Sequence, residues 1–229
     1  MQTTPILLAW SGGKDCLLAL QALLREPRWQ VVGLLCTVNR TYQRVAMHGT
    51  RREVLQAQAR ALGLPLLEAE LDWPSGNEDY EAAQARALAE ARMHWPGVRH
   101  CAFGDLFLAD VRDYRVRQLG ALGWRAVFPL WGEDTAALAR RFVGEGHRAV
   151  LCCVDTQQLD AAWCGRPFDN ALLDTLPTGV DPCGERGEFH TLSHGGPLFR
   201  HPLVLRRGES MLRDGRFQYT DFLLADAAY

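Results

Sequence analysis

An apolar run near the start of the chain leads directly into a turn with two adjacent glycines. Residues 6–9 read Ile-Leu-Leu-Ala, residues 10–16 read Trp-Ser-Gly-Gly-Lys-Asp-Cys, and residues 17–20 read Leu-Leu-Ala-Leu. The first apolar run is typical of a buried strand, and the run after the turn suits a helix. At such a junction backbone N–H groups and the positive end of the helix dipole face one point. The sequence therefore predicts a phosphate site at this turn.

Each residue of the turn has a predicted role toward phosphate. Ser11, Gly12 and Gly13 offer backbone N–H groups, and the glycines let an anion approach the main chain closely. Lys14 adds a mobile positive charge, and it stands nearly alone because arginine greatly outnumbers lysine in this chain. Asp15, beside a phosphate site, is expected to be a ligand for Mg²⁺. The turn by itself also fits an ordinary helix cap, so a structural interpretation stays open.

The composition restricts the class of partner. The chain has 229 residues, of which 48% are hydrophobic and 23% charged, as is typical of an ordinary soluble protein. Its net charge of −2 gives no electrostatic support for a nucleic-acid or membrane-surface partner. No apolar run reaches the length of a membrane span, and no signal peptide is evident. Seven cysteines without a C-x-x-C pair indicate small buried thiols in a reducing compartment, so we expect a cytoplasmic protein.

Apolar strand-like runs alternate with helix-like segments through about residue 155. This alternation predicts an α/β fold, a Rossmann-like parallel sheet with helices on both faces, and the run at 149–154 is expected to be one of its strands. Ligands of such sheets bind beyond the carboxyl ends of the strands. We therefore expect four segments to share one edge of the sheet: residues 11–16, 39–49, 72–77 and 104–110. The last third predicts a smaller C-terminal α+β region, with a soft boundary near residue 130.

A second constellation of charged residues lies at 184–191, which reads Gly-Glu-Arg-Gly-Glu-Phe-His-Thr. Glu185 and Glu188 lie between apolar or constrained flanks, and closely spaced carboxylates are costly to bury unless they bind a cation or ionise separately. A charged, solvated turn explains the same residues equally well. This stretch alone leaves both interpretations open.

Taken together, the two motifs carry a resemblance to a known family. The turn resembles the S-G-G-K-D-S pyrophosphate loop of the PP-loop ATP pyrophosphatases, with Cys16 in place of the last serine. With a C-terminal C-G-E-x-G-E-[FY]-x-T motif, the chain resembles the diphthine–ammonia ligase family over nearly its whole length. The other matching segments are His48-Gly49, Gly104-Asp105, residues 113–117 and Pro129-Leu130-Trp131.

This resemblance implies a PP-loop ATP-binding domain over residues 1–130 and a substrate or catalytic domain over 131–229. It implies an ATP-dependent amide ligase with Mg²⁺ as cofactor, which adenylates a carboxylate, releases pyrophosphate, and transfers ammonia with loss of AMP. The carboxylate is a small acid or is borne by a protein, ammonium is the second substrate, and a homodimer is possible.

The resemblance also implies roles for particular residues. The implied catalytic residues are Lys14, Glu185 and Glu188. The implied nucleotide-binding residues are Ser11, Gly12, Gly13, Lys14, Asp15, Cys16, His48, Gly104 and Asp105, with Asp15 as the metal ligand. The implied substrate-binding residues are Arg115, Arg117, Gly184, His190 and Thr191.

Two other functions stay open. The first is sulfur transfer to tRNA by a PP-loop enzyme. The near-neutral net charge of the chain disfavours a tRNA substrate. Cys152 and Cys153 are adjacent in a strand, so their side chains point to opposite faces and are poorly placed to act together. The second is a non-catalytic adenine-nucleotide-binding protein, which has no need of the paired glutamates.

Overall fold

The structure is a computed structural model that describes residues 3–45 and 48–225. Of the predicted segment 39–49, residues 46 and 47 lie outside the described residues. Ten strands and six α-helices lie within the described ranges, together with a short 3₁₀ helix at Ala161–Trp163. In chain order they are β1 (Thr4–Ala9), α1 (Lys14–Arg25), β2 (Trp29–Asn39), β3 (Arg44–Val45), α2 (Arg52–Leu62), β4 (Leu66–Leu71), α3 (Asn77–His94), β5 (His100–Ala102), α4 (Ala109–Ala121), β6 (Arg125–Val127), α5 (Thr135–Gly144), β7 (Arg148–Asp155), α6 (Asn170–Thr175), β8 (Phe189–Gly195), β9 (Leu205–Arg213) and β10 (Phe217–Leu224).

Five strands form a parallel sheet in the spatial order β4-β2-β1-β5-β6, and β3 pairs antiparallel with the end of β2. The chain runs outward from β1 to β2 and β4, and then returns to the other side of β1 with β5 and β6. The strand order therefore reverses between β1 and β5. In open α/β sheets this reversal is where ligands bind, beyond the carboxyl ends of the strands.

Helices cover both faces of this sheet, as predicted. Alternate side chains of a strand point to opposite faces, so the uninterrupted apolar sequence of β1 supplies two cores. Ile6 and Leu8 pack into a cluster with residues of α1 and α2, whereas Leu7 packs into a separate cluster with residues of α3 and α4. No helix in the described part of the chain is both long enough and apolar enough to cross a bilayer.

The second sheet is antiparallel, with the order β8-β7-β10-β9, and it forms the smaller C-terminal part with α5 and α6. The prediction that the run at 149–154 extends the parallel sheet is wrong, because β7 is an inner strand of this second sheet. A continuous apolar run indicates a strand buried on both faces but does not distinguish parallel from antiparallel neighbours. One hydrophobic cluster runs through both sheets. The domain division near residue 130 stays a prediction.

An ion-pair clamp joins the two sheets. Asp221 of β10 accepts hydrogen bonds from Arg44 Nη1 at 2.9 Å and from Arg51 Nη2 at 2.7 Å. Burial alone raises the pKa of Asp221, but the two guanidinium groups outweigh it and lower the pKa to about 2. The clamp holds Arg44 of β3 and Arg51, which precedes α2, against the second sheet.

Candidate functional site

A cleft of about 390 Å³ lies at the carboxyl ends of β1, β2 and β5, and residues 183–191 of the C-terminal part form its other wall. Most of the predicted site residues line it: Ser11, Lys14, Asp15, Cys16, His48, Gly104, Asp105, Arg115, Gly184, Glu185, His190 and Thr191. The structure therefore brings the glycine turn and the second constellation into one site at the strand-order reversal.

The two glycines of the turn lie in tight contact with neighbouring groups. Gly12 has φ +85°, and a Cβ there would lie 2.7 Å from Gln58 Oε1. Its carbonyl accepts hydrogen bonds from Ser193 N at 2.8 Å and Gln58 Nε2 at 2.9 Å. A Cβ on Gly13 would lie 3.1 Å from the ring of His48. The loop is thus packed closely from both sides, which fixes the directions of its backbone N–H groups.

Gln58 is a site residue that the sequence analysis missed. Its side chain is fully buried; Oε1 accepts from Trp10 Nε1 at 3.0 Å, and Nε2 donates to the carbonyls of Gly12 and of Ser193, the latter at 2.6 Å. A buried amide with its partners satisfied holds their geometry firmly. The sequence does place this glutamine among the apolar residues of α2, four residues after Val54, and that position could have indicated a buried polar side chain.

Lys14, the only lysine of the chain, is not the mobile charge that was predicted. It is 1% exposed, and its Nζ donates to Asp15 Oδ1 at 2.8 Å, to Asp15 Oδ2 at 2.9 Å, and to the carbonyl of Cys183. The rings of Phe168 and Phe189 each lie 5.7 Å from the same atom. Burial lowers its pKa, but Asp15 and the other anionic groups outweigh burial and raise it, so the amine is charged.

Strand β8 contacts the loop through Thr191. The backbone N–H of Lys14 donates to Thr191 Oγ1 at 3.0 Å, and His48 Nδ1 donates to the Thr191 carbonyl at 3.3 Å. The ring of His190 lies 4.6 Å from that of His48, at an interplanar angle of 34°. Burial is the main cause that lowers the pKa of His48 to about 3 and that of His190 to about 4, so both rings are neutral.

The two predicted catalytic glutamates occupy different environments. Glu185 lines the cleft and its Oε1 accepts the backbone N–H of Leu106 at 2.7 Å. Burial, assisted by the charges of Asp15 and Asp105, raises the pKa of Glu185 to about 7. A carboxyl group with this pKa exchanges a proton readily near neutral pH.

Glu188 is 2% exposed and is not among the residues that line the cleft. Its Oε1 accepts from Asp181 N at 2.8 Å and its Oε2 from Arg186 N at 3.0 Å. Both carboxylate oxygens therefore hold the turn that carries Glu185. A direct catalytic role for Glu188 stays a prediction that this placement does not support.

The wall that follows β5 carries a partly buried ion pair. Arg115 Nε lies 2.7 Å from Asp105 Oδ2, and the guanidinium stacks 4.4 Å from the centre of the Phe103 ring. A Cβ on Gly104 would lie 2.8 Å from the carbonyl carbon of Asp15, so glycine lets this wall touch α1. Arg117 lies on the exposed face of α4, outside the cleft.

Cys16 takes part in the loop through its thiol. The Sγ atom donates to the Gly13 carbonyl at 3.1 Å and accepts from Ser11 Oγ at 3.8 Å, while burial raises its pKa to about 11. The thiol is therefore neutral and helps to close the turn. All seven cysteines are free and buried, which confirms their prediction as small buried residues.

Other lining residues come from positions that the sequence analysis did not single out. Thr37 at the end of β2 accepts a hydrogen bond on Oγ1 from Gln84 Nε2 at 2.7 Å, and Tyr80 lies one turn earlier on α3. The rule that strand ends bear ligands could have found Thr37. No motif identified the two residues of α3.

The fold and the cleft define an α/β protein with a candidate ligand site at the strand-order reversal of a parallel sheet. Residues 4–117 match the diphthamide synthase N-terminal domain, and residues 134–218 match the diphthamide synthase C-terminal domain. The chain belongs to the diphthamide synthase family, as the resemblance predicted.

Two curated relatives carry the same name. The chain is 27% identical over 190 residues to the diphthine–ammonia ligase of Danio rerio, a match that covers 72% of this chain and 70% of that protein. It is 25% identical over 166 residues to the diphthine–ammonia ligase of Schizosaccharomyces pombe, covering 67% of this chain and 27% of that longer protein.

Proposed function

We propose that this protein is an ATP-dependent amide ligase of the diphthine–ammonia ligase type. It adenylates a carboxylate with release of pyrophosphate, and ammonia then displaces AMP to leave an amide. The observation that carries the proposal is the union of the two motifs in one cleft, where Thr191 caps the phosphate loop and Glu185 lines the opposite wall. The names of both relatives support it.

The loop binds the phosphates of ATP. Backbone N–H groups at residues 11–13 and the positive end of α1 stabilise the negative charge that grows on the departing pyrophosphate. Lys14 contributes from beneath the loop, where its buried ammonium is fixed by Asp15 and the Cys183 carbonyl.

Mg²⁺ fits this site as a nucleotide-bound ion. No cluster of three or more metal-binding side chains occurs among the residues that the structure describes. Mg²⁺ in nucleotide sites typically takes one or two carboxylates together with phosphate oxygens and water. The Asp15 side chain lines the cleft and is 30% exposed, so it can supply that carboxylate. When bound, the ion neutralises phosphate charge.

Glu185 accepts a proton as ammonia attacks the activated carbonyl. Its pKa of about 7 leaves a large ionised fraction at neutral pH, and the Leu106 N–H fixes one carboxylate oxygen. Glu188 positions the turn that bears Glu185. The carboxylic acid substrate, which is small or borne by a protein, binds on the Asp105–Arg115 side of the cleft. Ammonium is the nitrogen source. A homodimer and a cytoplasmic location remain predictions.

Sulfur transfer is disfavoured by the cysteines. Burial holds the pKa of Cys152 well above its usual range and raises that of Cys153 to about 12, so neither is a ready thiolate.

The proposal is tested by identifying the products of ATP with Mg²⁺, ammonium and a panel of carboxylic acids. We expect AMP and pyrophosphate in amounts that depend on one acid, and loss of turnover in Glu185→Gln. Glu209→Gln, on the exposed strand β9, is the matched control and should keep full turnover. Formation of ADP and phosphate would contradict cleavage between the α and β phosphates.

A further inference from the structure

The cations of the cleft are already paired before any nucleotide binds. Two cationic side chains, Lys14 and Arg115, occur among the described residues that line the cleft. Lys14 Nζ lies 2.8 Å from Asp15 Oδ1, and Arg115 Nε lies 2.7 Å from Asp105 Oδ2. Glu185 adds a third carboxyl group. The side chains therefore carry no surplus positive charge with which to meet a triphosphate. Backbone N–H groups bind phosphate oxygens but supply only partial charge.

The same cleft holds two neutral imidazoles beside the loop. The His48 Nδ1–H donates to a carbonyl, which leaves the lone pair on Nε2, and its ring lies against that of His190. A neutral imidazole beside a polyanion can take up a proton and become a cation, whereas a paired lysine cannot add charge. These rings are thus the groups of the cleft that can gain positive charge.

We propose that His190 takes up a proton when the triphosphate of ATP binds and then faces the phosphates as an imidazolium, with the neutral ring of His48 in contact beside it. The inference rests on the proposed function only in requiring that ATP binds in this cleft. It moves His190 from the predicted substrate-binding set to the nucleotide site.

The charge of a bound phosphate is sufficient to raise the pKa of an imidazole into the neutral range. One opposing charge about 4 Å away, at an effective dielectric constant of about 20, raises an imidazole pKa by about 3. A shift of this size carries the pKa of His190 from about 4 into the neutral range, and the charge that His190 then bears opposes protonation of the adjacent His48 ring. One proton is therefore taken up by the pair.

Other titratable groups bear on His190 from the elements packed around it. The charge of Lys14 opposes its protonation in the free protein. Glu185 shares the cleft and can itself take up a proton when an anion binds, so it must be separated experimentally. Further titratable groups on the surrounding elements are Asp15 and Cys16 of α1, Cys152 and Cys153 of β7, and Tyr219 of β10, and the cleft is also lined by Cys36, Tyr80, Asp105, Arg115 and Cys183.

The test is isothermal calorimetry of Mg²⁺–ATP binding in buffers of different ionisation enthalpy at pH 7, without ammonium or acid. We expect the wild type to take up about 0.5–1 more proton per ATP than His190→Asn does. Glu185→Gln should retain that histidine-dependent uptake. The control His201→Asn, which changes an exposed histidine outside the cleft, should behave as wild type. Imidazole ¹⁵N shifts of His190 with and without ATP report the same protonation directly.

Because a proton accompanies ATP, the affinity should rise as pH falls from 8 to 6, by up to about tenfold per pH unit, and His190→Asn should flatten this slope. If ATP binds but proton uptake is equal in wild type and His190→Asn, or the His190 ¹⁵N shifts do not change, the inference is overturned and the proposed function is not. A wild type that binds no ATP would overturn both.

Discussion

The backbone N–H of Lys14 donates to the hydroxyl oxygen of Thr191 at 3.0 Å, across 177 positions of sequence. This N–H belongs to the first turn of α1, where helix N–H groups have no partner within the helix. The glycine turn at residues 11–16 is therefore completed by a side chain from the second sheet. The loop and the C-terminal constellation are one structural unit, although the sequence separates them by most of the chain.

This contact predicts a stability difference between two substitutions at Thr191. Thr191→Val keeps the shape but leaves the buried N–H without its acceptor, so we expect a loss of about 1–2 kcal/mol in the free energy of unfolding. Thr191→Ser retains the hydroxyl and should lose less. Urea denaturation of the three proteins measures the difference. Equal midpoints for the valine and serine variants would show that the hydrogen bond does not contribute.

Gln58 is expected to control the affinity for ATP although its side chain is buried behind the loop. Gln58→Leu removes the bonds to the Gly12 and Ser193 carbonyls and leaves Trp10 Nε1 without its acceptor. We expect at least about tenfold weaker ATP binding and a loss of about 2–4 kcal/mol in stability, since buried polar groups lose their partners. Gln56→Leu, two residues earlier on α2 and bonded to Glu68, is the matched control. ATP binding measured by calorimetry should be weakened in the first variant only.

Glu185 predicts the form of the pH–rate profile. As a base it acts in its ionised form, so activity measured at a constant concentration of free NH3 should rise with pH through its pKa of about 7. Glu185→Gln should lose this limb together with most of the turnover, while it keeps ATP affinity within a few-fold. Glu188→Gln should keep the limb, because Glu188 bonds backbone N–H groups behind the turn. An unchanged acid limb in Glu185→Gln would assign the titration to another group.

The sequence was sufficient to predict the glycine turn between β1 and α1 and the edge of the sheet at which the cleft lies. The glycine turn between two apolar runs predicted the junction of β1 and α1, and the alternation of strands and helices predicted the parallel sheet at whose reversal the cleft lies. Both patterns are local, because periodicity and turn chemistry act over a few residues.

What the sequence did not predict depends on contacts between distant segments. The partner that immobilises Lys14 is the Cys183 carbonyl, and the place of β7 depends on β8 and β10, which come later in the chain. Similarly, two glutamates three residues apart are alike in sequence, yet burial directs Glu185 into the cleft and Glu188 onto backbone N–H groups. Tertiary packing decides such cases.

The Asp221 clamp predicts a stability change in a defined pH window. The pKa of Asp221 lies at about 2 in the folded protein, below the ordinary value of 3.8, so the folded state favours its ionised form. Its contribution to stability is fully present above about pH 4 and is lost as pH falls toward 2. Asp221→Asn should therefore cost about 1–2 kcal/mol at pH 7, and the difference from wild type should shrink between pH 4 and 2.

Urea denaturation of wild type and Asp221→Asn at a series of pH values measures this window. Asp214→Asn, in the turn between β9 and β10, is the control and should show no such pH-dependent difference. Because Arg44 and Arg51 lie on either side of His48 in the chain, the same variant should also weaken ATP binding. A stability difference that stayed constant down to pH 2 would mean that the clamp acts through packing and not through the charge of Asp221.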